Sequence, residues 1–269
     1  MTARLRREVL LLGGLSLGLI VASVAAASIG AYEIPPQQVL GGVARKLGII
    51  HDNGLHVLDD DVLWTIRFPR VALAALVGGS LGAAGATMQG TFSNPLAEPG
   101  IVGVSSGAVL GAVAQIVLGF APIGTFTLPV AAFIGAVITV AVVYFSSRAN
   151  GRTEVVTLIL TGVAINALLG AVIGLLTYFS DDAELRSITF WTLGSVANAT
   201  WTKVIAVLPF AAAGLAVATF KARGLDLLAL GERPARHLGL RVERFRAAML
   251  VVTAVLTASA VAVSGVILF

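Results

Sequence analysis

The sequence predicts an all-α fold, a polytopic transmembrane helical bundle with about seven spans. Three observations predict it. Of 269 residues, 57% are hydrophobic and only 12% are charged, against about 25% charged in an ordinary soluble domain. The apolar residues come in long blocks, each near the ~20 residues that a helix needs to cross ~30 Å of hydrocarbon. The Lys and Arg residues gather in the connections between those blocks, where topology places them.

The blocks are residues 9–30, 68–90, 100–119, 127–146, 155–178, 202–220 and 246–268. The first follows Arg4, Arg6 and Arg7 and is too long for the core of a signal peptide, so it reads as a retained helix. Arg148 and Arg152 follow the fourth block. Lys221, Arg223, Arg233, Arg236, Arg241, Arg244 and Arg246 follow the sixth. With alternating helices these fall on the side of the N-terminus. Asp52, Asp59, Asp60 and Asp61, and then Asp181, Asp182 and Glu184, fall on the other. The positive-inside rule therefore predicts a cytoplasmic N-terminus. The connection 91–99 has no Lys or Arg and is a mild exception. Seven spans put Phe269 at the outer interface with no polar flank, so the expectation is one transmembrane domain over 1–269, truncated at its C-terminus.

The net charge of +4 reflects topology rather than nucleic-acid binding. The absence of cysteine excludes disulfides, thiolate metal sites and a Cys nucleophile. Gly103-Val104-Ser105-Ser106-Gly107 fits G-x-S-x-G, but it opens an apolar helix and no His lies in any span. His51 and His56 could hold a metal, but a lone loop pair reads more simply as solvated. Neither a metal nor a cofactor is expected. The three lysines, Lys46, Lys203 and Lys221, never follow Gly, which excludes a P-loop. This is a chain without its own ATPase site, so uphill work needs a partner. No Lys in the last block excludes a retinal protein. A secondary transporter, or a truncated remnant acting as a scaffold, stays open as the alternative, although the spans hold almost no carboxylate.

Small residues recur at four-residue spacing: Gly78 and Gly82, then Gly103, Gly107 and Gly111, which suits close helix packing. The fifth block carries Gly162, Asn166, Gly170 and Gly174, and the polar Asn166 implies a partner helix or a watery path. Three further segments stand out. Arg67-Phe68-Pro69-Arg70 sits at the outer mouth of the second block, as interfacial anchors or as a dock for a partner's carboxylates. Met88-Gln89-Gly90 and Asn94-Pro95-Leu96-Ala97-Glu98-Pro99-Gly100 form a tight turn on the cytoplasmic side. Residues 225–242 read as two short helices broken at Gly231 and Gly239, suited to the membrane interface or to a groove on a partner.

These blocks, with Phe190-Trp191-Thr192-Leu193-Gly194-Ser195 before the sixth span, closely resemble the FecCD permease subunits of type II ABC importers. That family handles haem, ferric siderophores and cobalamin. The resemblance covers essentially the whole chain. It implies a ten-helix fold in a bacterial plasma membrane, working as a homodimer with cytoplasmic ATP-binding subunits. An extracytoplasmic substrate-binding protein delivers the ligand. It implies that Arg67 and Arg70 dock that binding protein. The coupling segment, 221–246, would seat in the ATPases through Leu228, Gly231, Glu232, Ala235, Arg236, Leu238 and Gly239. Val155, Val156, Thr157, Gly162, Asn166 and Gly170 would line the path, the first three as an inner gate. An iron chelate, haem or a ferric siderophore, is the expected ligand, with cobalamin the alternative. Family members continue past residue 269 into about three further helices.

Overall fold

Unbroken apolar runs in lipid have one stable answer, because only a helix satisfies every backbone N–H and C=O within the segment. The computed structural model describes residues 3–49, 57–149 and 152–267. Its helices are α1 (Ala3–Ser28), α2 (Pro36–Lys46), α3 (Val57–Val62), α4 (Phe68–Phe92), α5 (Val104–Leu118) and α6 (Thr127–Ser146). They continue as α7 (Val155–Tyr178), α8 (Asp182–Thr192), α9 (Trp201–Ala229), α10 (Glu232–His237) and α11 (Val242–Ser264). Among the described residues, six stretches are long and apolar enough to cross a membrane, and α5 is a shorter apolar helix. The protein is thus a multi-pass membrane protein with the seven apolar elements expected. A two-residue antiparallel pair, Arg148–Ala149 with Arg152–Thr153, closes the turn between α6 and α7.

Four boundaries differ from the sequence reading. The second span begins earlier, at Asp59, and runs to Phe92. Arg67-Phe68-Pro69-Arg70 therefore lies within a continuous helix, not at its start. A wide turn, Leu63–Arg67, makes this possible, with the Phe68 N–H bonded back to the Leu63 carbonyl. The extra residue in the turn sits just before Pro69, which has no N–H to give. The third segment is helical only from Val104. Pro99–Val102 is a 3-10 turn ended by Gly103 at φ 84°, a left-handed position that suits glycine. Residues 225–229 are not a separate short helix. They complete α9, which bridges Gly224 and Pro209 without a break. Gly224 leaves room for the Phe245 ring, which a Cβ would strike. Finally, Phe190–Thr192 end α8 rather than lying in a connection. The Asp181 carboxylate accepts from the Ala183 and Glu184 amides at 2.8 Å, and Glu184 accepts from the Asp181 amide, a reciprocal cap that employs this acidic cluster. His51, His56 and Asp52 lie outside the described residues.

The chain divides into two compact units. The first comprises Met1–Ala74 and Ala197–Val204. Its core joins Ala27, Ile34, Val39 and Leu63, flanked by Trp64, Phe68 and Val71. The Trp201 indole donates to the Trp64 carbonyl at 2.8 Å, and the two rings stack.

The second unit comprises Ala75–Val196 and Ile205–Phe269. Its tightest joint is α5 on α6. A Cβ on Gly111 would collide with the Ala131 carbonyl oxygen, and one on Gly135 with the Gly107 carbonyl oxygen. Small residues permit this backbone approach where lipid supplies no hydrophobic drive. Ala108, Ala112, Ala132, Ala136 and Val140 continue the core toward Ala254, Ala258 and Val261 of α11. A separate cluster gathers Ala84, Leu228, Ala235, Val242, Phe245, Met249 and Leu256. In α11, 72% of the apolar window is buried, against 11% in α7.

The glycine joint is testable. Gly111→Val should lower the melting temperature of the detergent-purified protein, at a cost of about 1–3 kcal/mol for forced overpacking. Gly82→Ala, with nothing within 4 Å of its Cβ position, should leave it unchanged or slightly higher.

Candidate functional site

Arg67 and Arg70 are three residues apart on one helix, yet the fold treats them differently. Arg67 is 7% exposed. Its guanidinium donates to the carbonyls of Ala27, Ser28 and Tyr32, closing the turn that follows α1. Its donors are committed to backbone of the chain itself, the carbonyls of Ala27 and Ser28 at the end of α1 and of Tyr32 just beyond it. Arg70 is exposed and donates to the Ala197 carbonyl at 2.9 Å. The docking expectation therefore narrows to Arg70. Nearby, the Asp59 carboxylate accepts from the Tyr32 hydroxyl. That bond, and the carboxylate's charge, raise the phenol above its usual value of 10.0.

The stripe on α7 splits in two. A Cβ on Gly162 would collide with the Ile101 carbonyl oxygen. One turn on, the Asn166 amide donates to the Gly100 carbonyl at 3.0 Å. These two residues seat the 3-10 turn Pro99–Val102 against α7. Asn166 thus meets a partner segment within the chain, one of the two options its polarity allowed. Thr157 and Val155 are half-buried, whereas Val156 and Gly170 are exposed. Gly170 and Gly174 have open space at their Cβ positions.

The segment after α9 is a hook. Leu230 and Gly231 turn on hydrogen bonds to the Leu227 and Leu228 carbonyls. Gly231 has φ 105°, which directs the chain into α10. Ala235 is fully buried, in one cluster with Leu228, Val242 and Phe245. Leu238 is 62% exposed at the tip. Gly239, at φ 89°, returns the chain to α11. The Ser93 hydroxyl reaches the Leu228 carbonyl at 3.4 Å, and Leu225 covers Gly90. The tight turn after α4 is formed by Asn94, whose side chain accepts from the Leu96 amide at 2.9 Å. The hook and that turn therefore share one end of the second unit.

The sequence pattern of the FecCD transport family matches residues 18–269. This chain belongs to that family. Among the FecCD relatives, the hemin transport system permease protein HmuU of Yersinia pestis is 41% identical over 221 residues, 78% of this chain and 65% of its own. The cobalamin import system permease protein BtuC of Halobacterium salinarum is 43% identical over 208 residues, 77% of this chain and 56% of its own. The molybdate import system permease protein MolB of Haemophilus influenzae is 34% identical over 260 residues, 95% of this chain and 74% of its own. The chain thus spans less than two thirds of the length of the first two relatives. A solved inward-facing metal-chelate type ABC transporter superposes with a TM-score of 0.82 at 29% identity, over 96% of this chain and 76% of that one.

Sequence reasoning passed over Arg246, counting it with the basic residues of a connection. It is 2% exposed and ion-paired to Glu232. Glu243, three residues before it, was the available signal. It also passed over the joint between Trp191–Gly194 and Gly265–Val266, where the Ser195 amide donates to the Ser264 carbonyl at 2.5 Å.

The two arginines should separate on mutation. Arg67→Ala removes the guanidinium from the buried Ala27 carbonyl, at a cost of about 1–3 kcal/mol for a buried acceptor left unsatisfied, and should lower the melting temperature in detergent. Arg70→Ala should leave it nearly unchanged.

Proposed function

We propose that this chain is the membrane permease part of an ABC importer that carries an iron chelate, haem or a ferric siderophore, into the cell. ATP hydrolysis in separate cytoplasmic subunits drives it. The observation that carries this reading is the hook. An exposed short helix with an apolar tip, mounted on the most deeply buried span, is a handle for another protein. The sequence supplies no P-loop of its own. Family membership supports the same architecture.

The ligand class rests on relatives rather than on the site. Hemin, cobalamin and molybdate permeases are all similar to this chain, and cobalamin is the alternative cargo. A path of small and apolar groups suits a bulky preformed chelate, since a bare cation would want carboxylate or carbonyl ligands.

The basic connections put the N-terminus and the hook on the cytoplasmic side of the plasma membrane. Arg70 then faces outward, where its guanidinium suits carboxylates of a substrate-binding protein. A second copy of the chain covers the exposed faces of α7, which line the path along Val156 and Gly170. The ligand passes unchanged, and the work is mechanical, transmitted from the ATP-binding subunits through Leu228, Ala235, Arg236, Leu238 and their neighbours.

Two outcomes test the proposal. The full transporter in proteoliposomes should copurify with an ATP-binding subunit and stimulate its hydrolysis, and Arg236→Ala should lower uptake per ATP. Uptake that persists without that subunit sinks the reading. Arg70→Glu should weaken association with the loaded binding protein by roughly 3- to 10-fold at low salt and less at high salt. Unchanged association would make Arg70 an interfacial anchor.

A further inference from the structure

We infer that Arg246 is a positioning residue that fastens α10 to the first turns of α11, so that the hook and its span move as one body. The inference rests on the coupling role proposed above and names the part that makes it mechanical.

The hook is poorly fixed by its backbone. α10 has six residues, well short of the ~12–15 at which an isolated helix becomes even marginal. Glycines with positive φ bound it on both sides, Gly231 and Gly239, and nothing lies within 4 Å of the Gly239 Cβ position. Of its own side chains only Ala235 is buried. A push on so small an element would be absorbed by hinge rotation at the two glycines unless something braced it.

The brace is a closed ring of four alternating charges. The Arg246 guanidinium lies 2.5 Å from Glu232 and 3.9 Å from Glu243. Arg236 lies 3.3 Å from the other oxygen of Glu232 and 3.9 Å from Glu243. Two members, Glu232 and Arg236, are on α10, and two, Glu243 and Arg246, are on α11. Every cross-link between the pairs therefore ties the hook to the span. Only Arg246 is deeply buried, at 2%, while Glu232 and Arg236 are 46% and 44% exposed. The inner limb is thus shielded from salt and the outer limb is not. A planar guanidinium can hold two carboxylates in fixed directions, which a lysine ammonium cannot. Removing a partner of a buried charge is costly, so the locked geometry is strongly favoured over an open one.

α11 in turn packs on α5 and α6 through Leu250, Ala254, Ala258 and Val261. A displacement of α10 therefore enters the core of the second unit as a displacement of α11.

The chain has no cysteine, so two can be placed at will. Spin labels at His237→Cys, on α10, and Val251→Cys, an exposed position on α11, read the distance between hook and span. In the complete transporter with its ATP-binding subunits, that distance should stay within about 2 Å between nucleotide-free and ATP-trapped states, the scale of ordinary helix shifts. Adding Glu232→Gln should broaden the distribution and make it nucleotide-dependent. Uptake per ATP should fall by roughly 5- to 10-fold while hydrolysis continues. Arg246→Met should do the same. If it fails to fold, the half-exposed Glu232→Gln carries the test. A distance that shifts with nucleotide in the intact ring overturns the inference. So does a Glu232→Gln protein that keeps both its narrow distance and its uptake per ATP. Failure of any ATP-binding subunit to associate would instead sink the proposed function. The label distance in the isolated chain would still show whether the ring holds α10.

Discussion

The second unit depends on one backbone contact, that of α5 against α6. Lipid tails are as apolar as leucine, so burying apolar surface does not drive two helices together in a membrane. What remains is close packing, and here it is close enough that Gly107, Gly111 and Gly135 have no room for a methyl group. With α6 occupying one face of α5, the other is left for α7. Gly103 sits beside the Asn166 side chain and Gly162 against Ile101. The amide of Asn166 then adds a second hydrogen bond to the Gly100 carbonyl, which already accepts from the Gly103 N–H that closes the 3-10 turn. A polar side chain in a span is thus accounted for by backbone that is not α-helical.

The same economy applies at the hook. Two positive-φ glycines allow the chain to reverse twice within a few residues. Their freedom is a liability for any element that must transmit force. The charge ring and the buried Ala235 offset it. Permissive backbone and restrictive side chains are set side by side, one for shape and the other for stiffness.

Much of this was legible in the sequence and some was not, for identifiable reasons. The spans follow from block length, since the bilayer imposes one dimension on every helix. The turn at Asn94-Pro95 and the breaks at Gly231 and Gly239 were readable because those residues restrict or free the backbone locally. The sixth block was read only as far as residue 220, whereas α9 continues through Gly224 to Ala229, with Phe245 filling the space beside that glycine. That contact joins residues far apart in sequence. Arg67 and Arg70 look equivalent as letters. Only the return of the chain after α1, which brings backbone carbonyls around the Arg67 guanidinium, buries one and leaves the other exposed. The Asn166 stripe was visible by periodicity, but period cannot say which turn of the stripe is covered. The apolar hook residues were found by composition, whereas the buried Arg246 looked like one more basic flank.

The 15 residues of α5 reach about 22 Å at 1.5 Å each, well short of a hydrocarbon slab of ~30 Å. The missing length is made up by the irregular Pro99–Val102 stretch, whose carbonyls at Gly100 and Ile101 lie against α7. Such backbone is tolerated at membrane depth only when wrapped in protein. During synthesis α5 emerges before α6 and α7 exist to wrap it. The translocon must therefore retain this piece, or release it only as a hairpin with its successors, making α5 through α7 a single unit of insertion rather than three independent ones.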